Sequence, residues 1–190
     1  MKARRYAFGA LFLLTAVAAN CLGSFAARHS IIPLYLDSVL TIAVTALCGL
    51  WGGIACAVLS NGVMALPDRS MLWFVACHIC TAVLAHLTFR HHKQAHKRAP
   101  YTIETFLWAG LWSALSNAVL GNVIVELLYS SVTTAHVDNI VQGIFIAVEN
   151  LTFAIYFSGF LTNMADKMIS AAISYAAYKA ALTCKASWRL

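Results

Sequence analysis

The sequence predicts an all-α polytopic membrane protein, a compact bundle of six transmembrane helices forming a single integral membrane domain over residues 1–190. Three observations predict it. Of the 190 residues, 61% are hydrophobic and 11% are charged, whereas soluble domains run at roughly 45–50% and about 25%. The apolar residues gather in long runs parted by short polar stretches, and mean hydropathy is +0.76. Ten of the 13 Lys and Arg sit in three places: Lys2, Arg4 and Arg5; Arg90, Lys93, Lys97 and Arg98; and Lys179, Lys185 and Arg189. Clustered cations flanking apolar runs mark the cytoplasmic side of a membrane. This composition excludes an ordinary soluble enzyme, a disordered chain and a nucleic-acid binder. The net charge of +6 is a topology signal, and that reading is preferred over a phosphate-binding role for the 90–98 loop.

The first helix is expected over 6–27. Basic residues before 6–19 also fit a leader cleaved near Ala18, but the remaining chain is itself a membrane protein, so the run is kept as the first crossing. Region 38–66 reads either as one helix or as two short ones, 37–49 and 52–66, hinged at Gly49-Leu50-Trp51-Gly52-Gly53. A single helix here would make Gly49 and Gly53 a packing GxxxG. The cations decide for the hinge: with the N-terminus and loop 90–98 both inside, an even number of crossings must separate them. Helices over 70–89 and 103–129 follow. Segment 139–160 is apolar yet holds Glu149 and Asn150, and it reads as re-entrant or as an additional helix. A full crossing by 139–160, followed by a final helix over 164–184, would put Lys179, Lys185 and Arg189 outside; a segment that only dips in leaves them inside, which the cation rule favours.

Under this topology the acids separate from the bases. Asp37, Asp68, Glu126, Asp138, Glu149 and Asp166 fall toward the outer side, and only Glu104 falls inside. Ionisable groups within a membrane are costly and point to a pathway or a site. Asp68 and Asp138 read as solvated loop ends. Glu126, Glu149 and Asp166, in or beside helices, carry more weight. Asn117, Asn122 and Glu126 fall along one stripe of helix 103–129, where amides either fix helix packing or orient a polar ligand.

Cys21, Cys48, Cys56, Cys77, Cys80 and Cys184 read as small buried apolar residues rather than a disulfide framework. Cys77-His78-Ile79-Cys80 has the spacing of half a zinc site, but with no second pair it reads as core packing, and no metal site is expected. His91, His92 and His96 belong to the basic loop. No GxxxxGK[ST], HExxH or GxSxG motif is present. No catalytic residues and no cofactor are therefore expected.

The run Tyr35-Leu36-Asp37-Ser38-Val39-Leu40-Thr41-Ile42, continuing through the Gly-rich hinge to Ser60-Asn61, resembles the paired second and third helices of the substrate-binding S components of energy-coupling factor (ECF) transporters. The ending Asn163-Met164-Ala165-Asp166-Lys167-Met168-Ile169-Ser170, followed by a small-residue helix and Tyr178-Lys179-Ala180, is similar too. The resemblance covers about residues 31–182. It implies a six-helix subunit that captures a small water-soluble vitamin or related micronutrient outside, and that works with a transmembrane scaffold subunit and two ATPase subunits in a bacterial or archaeal cell membrane. Both termini would be cytoplasmic, and ATP would be hydrolysed by the partners. The family's AxxxA docking pattern on the first helix is matched by Ala3 and Ala7, with Ala10 nearby. Cobalt- and nickel-type members begin Met-His; this chain begins Met1-Lys2. The long 139–160 segment departs from the better-known members.

The expected ligand contacts are Asn61, Trp73, Glu126, Tyr129, Glu149, Asn163, Asp166 and Lys167. The acids would pair with cationic groups, and Trp73 and Tyr129 would stack on a ring. A membrane sensor or signalling input domain and a self-contained secondary carrier are the rival readings. The sensor reading expects an output domain, which this sequence to Leu190 does not show and a partner would have to supply.

Overall fold

A computed structural model describes residues 2–30, 34–96, 100–129 and 135–187, with side chains described over 7–30, 34–96, 100–127 and 140–184. Among these residues the secondary structure is entirely helical. The helices are α1 (Lys2–Arg28), α2 (Thr41–Met64), α3 (Val75–Ala95), α4 (Ile103–Tyr129), α5 (Ala135–Val148) and α6 (Leu151–Ser187), with a 3-10 turn at Arg69–Leu72. Four stretches, Ala7–Arg28, Thr41–Met64, Arg69–Ala95 and Ile103–Leu127, are long and apolar enough to cross a membrane.

One of the four does not run straight. Gly49 adopts φ 79°, ψ −171° inside α2, a conformation that a side chain would strain. Thr41 Oγ1 and Cys56 Sγ lie 3.8 Å apart, although 15 residues of straight helix would span about 22 Å. A Cβ placed on Gly53 would fall 2.1 Å from Thr45 Oγ1. The arms 41–48 and 50–64 are therefore an antiparallel hairpin. At 1.5 Å per residue they measure about 12 and 22 Å, and neither alone matches a hydrocarbon core of roughly 30 Å. The first arm starts at Thr41; Asp37 precedes it in non-helical chain.

Segment 139–160 is divided. α5 ends at Val148, Glu149 takes φ 53°, and Asn150 Oδ1 accepts the Phe153 amide at 2.9 Å. That bond caps a new helix N-terminus. The last helix accordingly starts at Leu151 rather than 164 and runs 37 residues.

Side-chain pairs fix the directions. α1 runs parallel to arm 50–64 (Cys21 Sγ to Ser60 O, 3.8 Å; Arg28 to Asp68, 2.9 Å). α3 is antiparallel to α4 (Cys80 Sγ to Ser116 Oγ, 3.0 Å; His92 Nδ1 to Thr105 Oγ1, 3.0 Å). α4 is antiparallel to α6 (Tyr101 and Tyr178 rings 5.8 Å apart; Tyr156 Oη to Glu126). The start of α1, the end of α3, the start of α4 and the end of α6 thus share one end of the bundle, the basic end. Arg28, Asp68, Glu126 and Glu149 lie toward the other.

An aromatic cluster, Phe89, Tyr101, Phe106 and Tyr178, packs the basic half with Ile42, Ala43 and Ala171. Outside, large apolar side chains stand uncovered: Leu14, Leu22 and Phe25 on α1 and Trp51, Val119 and Ile146 elsewhere. Inside lie Asn20, Ser60, Asn61, His78, Ser113, Asn117, Asp166 and Lys167. Apolar outside and polar within suits a bundle bathed in lipid, where polar side chains join helices by hydrogen bonds.

Candidate functional site

Asp166 and Lys167 sit on α6, 15 and 16 residues beyond its first residue, Leu151. Facing them is the non-helical stretch 34–40 that feeds α2. Lys167 Nζ donates to Asp37 Oδ1 at 2.8 Å, Asp166 Oδ2 at 2.7 Å and Ser38 Oγ at 2.7 Å. Three donors meet three acceptors, so the ammonium is fully satisfied. The other Asp166 oxygen accepts the amides of Leu36 (2.7 Å) and Tyr35 (3.2 Å). These bonds hold Leu36 at φ 46°, a conformation uncommon for a branched residue. Two turns further along α6, Ser174 donates to Val39 O at 2.7 Å and accepts the Ala43 amide at 3.2 Å. One face of α6 thus clamps the whole entry to α2. Lys167 is 2% exposed and Asp166 0%, so charge pairing must offset a large desolvation cost. Two carboxylates and one ammonium leave the cluster formally at −1.

A second network adjoins it through Thr41. His78 on α3 bonds Thr41 Oγ1 through Nε2 (2.5 Å) and the Asn61 amide nitrogen through Nδ1 (2.6 Å). The amide donates, so Nδ1 is the acceptor and Nε2 carries the proton. Asn20 on α1 donates to Thr41 Oγ1 (3.0 Å) and Ser60 Oγ (3.1 Å) and accepts the Leu40 amide (2.9 Å). On the far side of α3, Asn117 of α4 donates to Thr81 Oγ1 at 3.0 Å. The antiparallel register of α4 on α6 brings Asn117 level with Asn163. Together these residues make a polar layer crossing the bundle near the middle of α4.

The layer is incompletely paired. Asn61 Oδ1, Asn117 Oδ1, Thr162 Oγ1 and Ser170 Oγ are buried with no hydrogen-bond partner among the described residues. An unpaired buried polar atom costs about 1–3 kcal/mol. Such atoms are where a bound polar molecule or water gains most.

The structure brings four of the eight expected ligand residues into this layer: Asn61, Asn163, Asp166 and Lys167. Asn163 donates to Gly159 O at 2.8 Å. Asp166 is engaged by Lys167 of its own chain rather than left open to a cationic guest. Trp73 is 58% exposed, following the 3-10 turn at the acidic end. Glu126 is exposed and accepts the Tyr156 hydroxyl at 2.5 Å, beside a shallow cavity of about 50 Å³. Glu149 is exposed at the α5–α6 break. The side chains of Tyr129 and Ala3 lie outside the described residues, and Ala7 and Ala10 are exposed. Asn20, Asp37, Ser38 and His78 are members of the layer not expected as contacts. Asp37 and Ser38 stand in the very stretch that carries the family resemblance, which was the available signal.

Cys77 is buried, and Cys80 Sγ lies 3.0 Å from Ser116 Oγ. No group of three His, Cys, Asp or Glu among the described residues could hold a metal ion. Outside the spans, Asp68 bonds the Ser70 hydroxyl (2.6 Å) and amide (3.0 Å) and pairs with Arg28. The Ser70 hydroxyl bond first, then the amide and the guanidinium, hold this carboxyl below its ordinary pKa against the opposing effect of partial burial.

Compared with known proteins, the chain matches no family model, no curated protein and no solved structure.

Proposed function

We propose that the chain is the substrate-binding membrane subunit of an ECF-type transporter. It takes up a small water-soluble vitamin or related micronutrient from outside a bacterial or archaeal cell and delivers it inward with a scaffold subunit and two ATPases. It performs binding and reorientation, not bond chemistry. The basic end, where α1 starts and α6 ends, faces the cytoplasm.

One observation carries this reading. The two stretches that resemble S components, 35–42 and 163–170, are bonded directly to each other through Asp37, Ser38, Asp166 and Lys167. They meet beside a polar layer that retains unpaired buried acceptors. Residues remote in sequence but shared by the resemblance thus converge on one place, where a polar ligand has bonds to gain. Asn61 and Asn117 offer carbonyl oxygens to ligand donors; Thr162 and Ser170 offer hydroxyls. The ion cluster works as a latch: it holds the non-helical 34–40 stretch against α6, and opening that stretch admits the ligand.

The test is mass spectrometry of small molecules released from the protein purified from its membrane, with the co-purifying proteins identified. A stoichiometric water-soluble nutrient together with a scaffold and ATPases supports the assignment. Co-purification of a kinase or regulator, or unaided transport in proteoliposomes, contradicts it.

A further inference from the structure

At the basic end, away from the polar layer, lies a cavity of about 330 Å³ between the α2 hairpin and the last turns of α3. That volume is at the lower limit of the roughly 300–1,000 Å³ typical of small-molecule sites. Its polar lining is Thr45, His86, Arg90, Lys93, Gln94 and Tyr101, and the rest is apolar side chains and Gly49. His86, Arg90 and Lys93 are spaced by four and three residues, so they project from one face of α3. No carboxylate is among the described residues that line it. Neither Arg90 nor Lys93 forms an ion pair with any described residue. Lys93 Nζ instead stands 5.3 Å from the centre of the Tyr101 ring, within cation–π range. Gly49, at the reversal of α2, exposes backbone to the cavity with no Cβ in the way.

Two uncompensated cations, an imidazole and a phenol around one concavity match one ligand chemistry. The geometry points to a binding site for a phosphate-bearing anion, with Arg90 and Lys93 as the charge contacts. Arg supplies a planar fork that fits phosphate oxygens in pairs, and Lys supplies a point charge. The anion's source is either the headgroup of an anionic phospholipid or a soluble phosphate ester. Basic cavities between membrane helices at the cytoplasmic face hold lipid headgroups in this manner. The site touches the hinge of α2, so its occupant would brace the hairpin. This inference does not depend on the transport assignment.

Native mass spectrometry of the full chain in an uncharged detergent tests it, with phosphatidylglycerol, phosphatidylcholine and glycerol 3-phosphate added separately. The expected result is retained phosphatidylglycerol, or glycerol 3-phosphate if the soluble source is correct, with no retained phosphatidylcholine. The double variant R90Q/K93Q loses at least ten-fold in affinity. R69Q/K179Q, which removes the same charge at exposed positions outside the cavity, keeps wild-type affinity. All four side chains are exposed, so both variants should fold. Binding of neither anion, or equal loss in the two double variants, overturns the site.

Discussion

Lys167, buried in the bundle, lies 2.8 Å from Asp37, a partly buried residue 130 positions earlier in the chain. The pair ties the middle of α6 to the non-helical entry of α2. Replacing the lysine with methionine leaves the buried Asp166 and the partly buried Asp37 without a counter-ion. Breaking a buried pair in this way costs about 3–5 kcal/mol. K167M should therefore lower the unfolding temperature sharply in detergent. The double variant K167M/D37N should recover part of the loss, because one orphaned charge is gone. Additive losses in a thermal-unfolding cycle would refute the coupling.

Gly49 is the pivot of the α2 hairpin at φ 79°. Alanine there is strained by about 1–3 kcal/mol. Gly62, in the second arm, has open space where a Cβ would go, so alanine at that helical position should be neutral or stabilise by up to about 1 kcal/mol. Chemical denaturation of G49A and G62A should place them on opposite sides of the wild type. Equal behaviour would mean that the chain does not reverse at Gly49.

How much of this could be read beforehand follows from the range of each signal. The hinge region was visible because Gly49-Leu50-Trp51-Gly52-Gly53 is local, and the charge segregation was visible because it is compositional. The α5–α6 break was not, because the apolar run continues through it; Asn150 followed by Leu151 and Thr152 was an N-cap signal hidden inside hydrophobic sequence. The pairing of Asp37 with Lys167 and of His78 with Asn61 depends on contacts between separate helices, which one sequence does not encode legibly. Apolar periodicity was also a poor guide to burial, since in lipid the outer face is apolar as well. Trp73 and Glu126 were legible as conspicuous side chains at helix ends, and the structure places both exposed and apart from the polar layer.

The Arg28–Asp68 pair offers a small pH effect. Asp68 has a folded pKa below the ordinary 3.8, so its contribution is present above that value and is lost as pH falls through the lower folded one. Water screens this exposed pair, limiting the effect to at most about 1 kcal/mol. The stability difference between wild type and D68N should be measurable at pH 7 and should vanish at strongly acidic pH. A difference that grows on acidification would contradict the assignment.

The orientation of the bundle can be read from a cysteine placed at Gln94, which is exposed near the end of α3, in a background lacking the native cysteines. The cation rule puts this position inside the cell. A membrane-impermeant maleimide should label it only after the cells are opened. Labelling in intact cells would invert the topology.

The polar layer as the place of ligand capture is tested most directly by the affinity of whichever water-soluble small molecule co-purifies with the protein, measured by calorimetry for Asn117→Ala, Asn61→Ala and Glu126→Gln. The account predicts at least a ten-fold loss for each asparagine variant and wild-type affinity for Glu126→Gln. Unchanged affinity in both asparagine variants, with a loss on Glu126→Gln, would move the site to the acidic end of the bundle and contradict it.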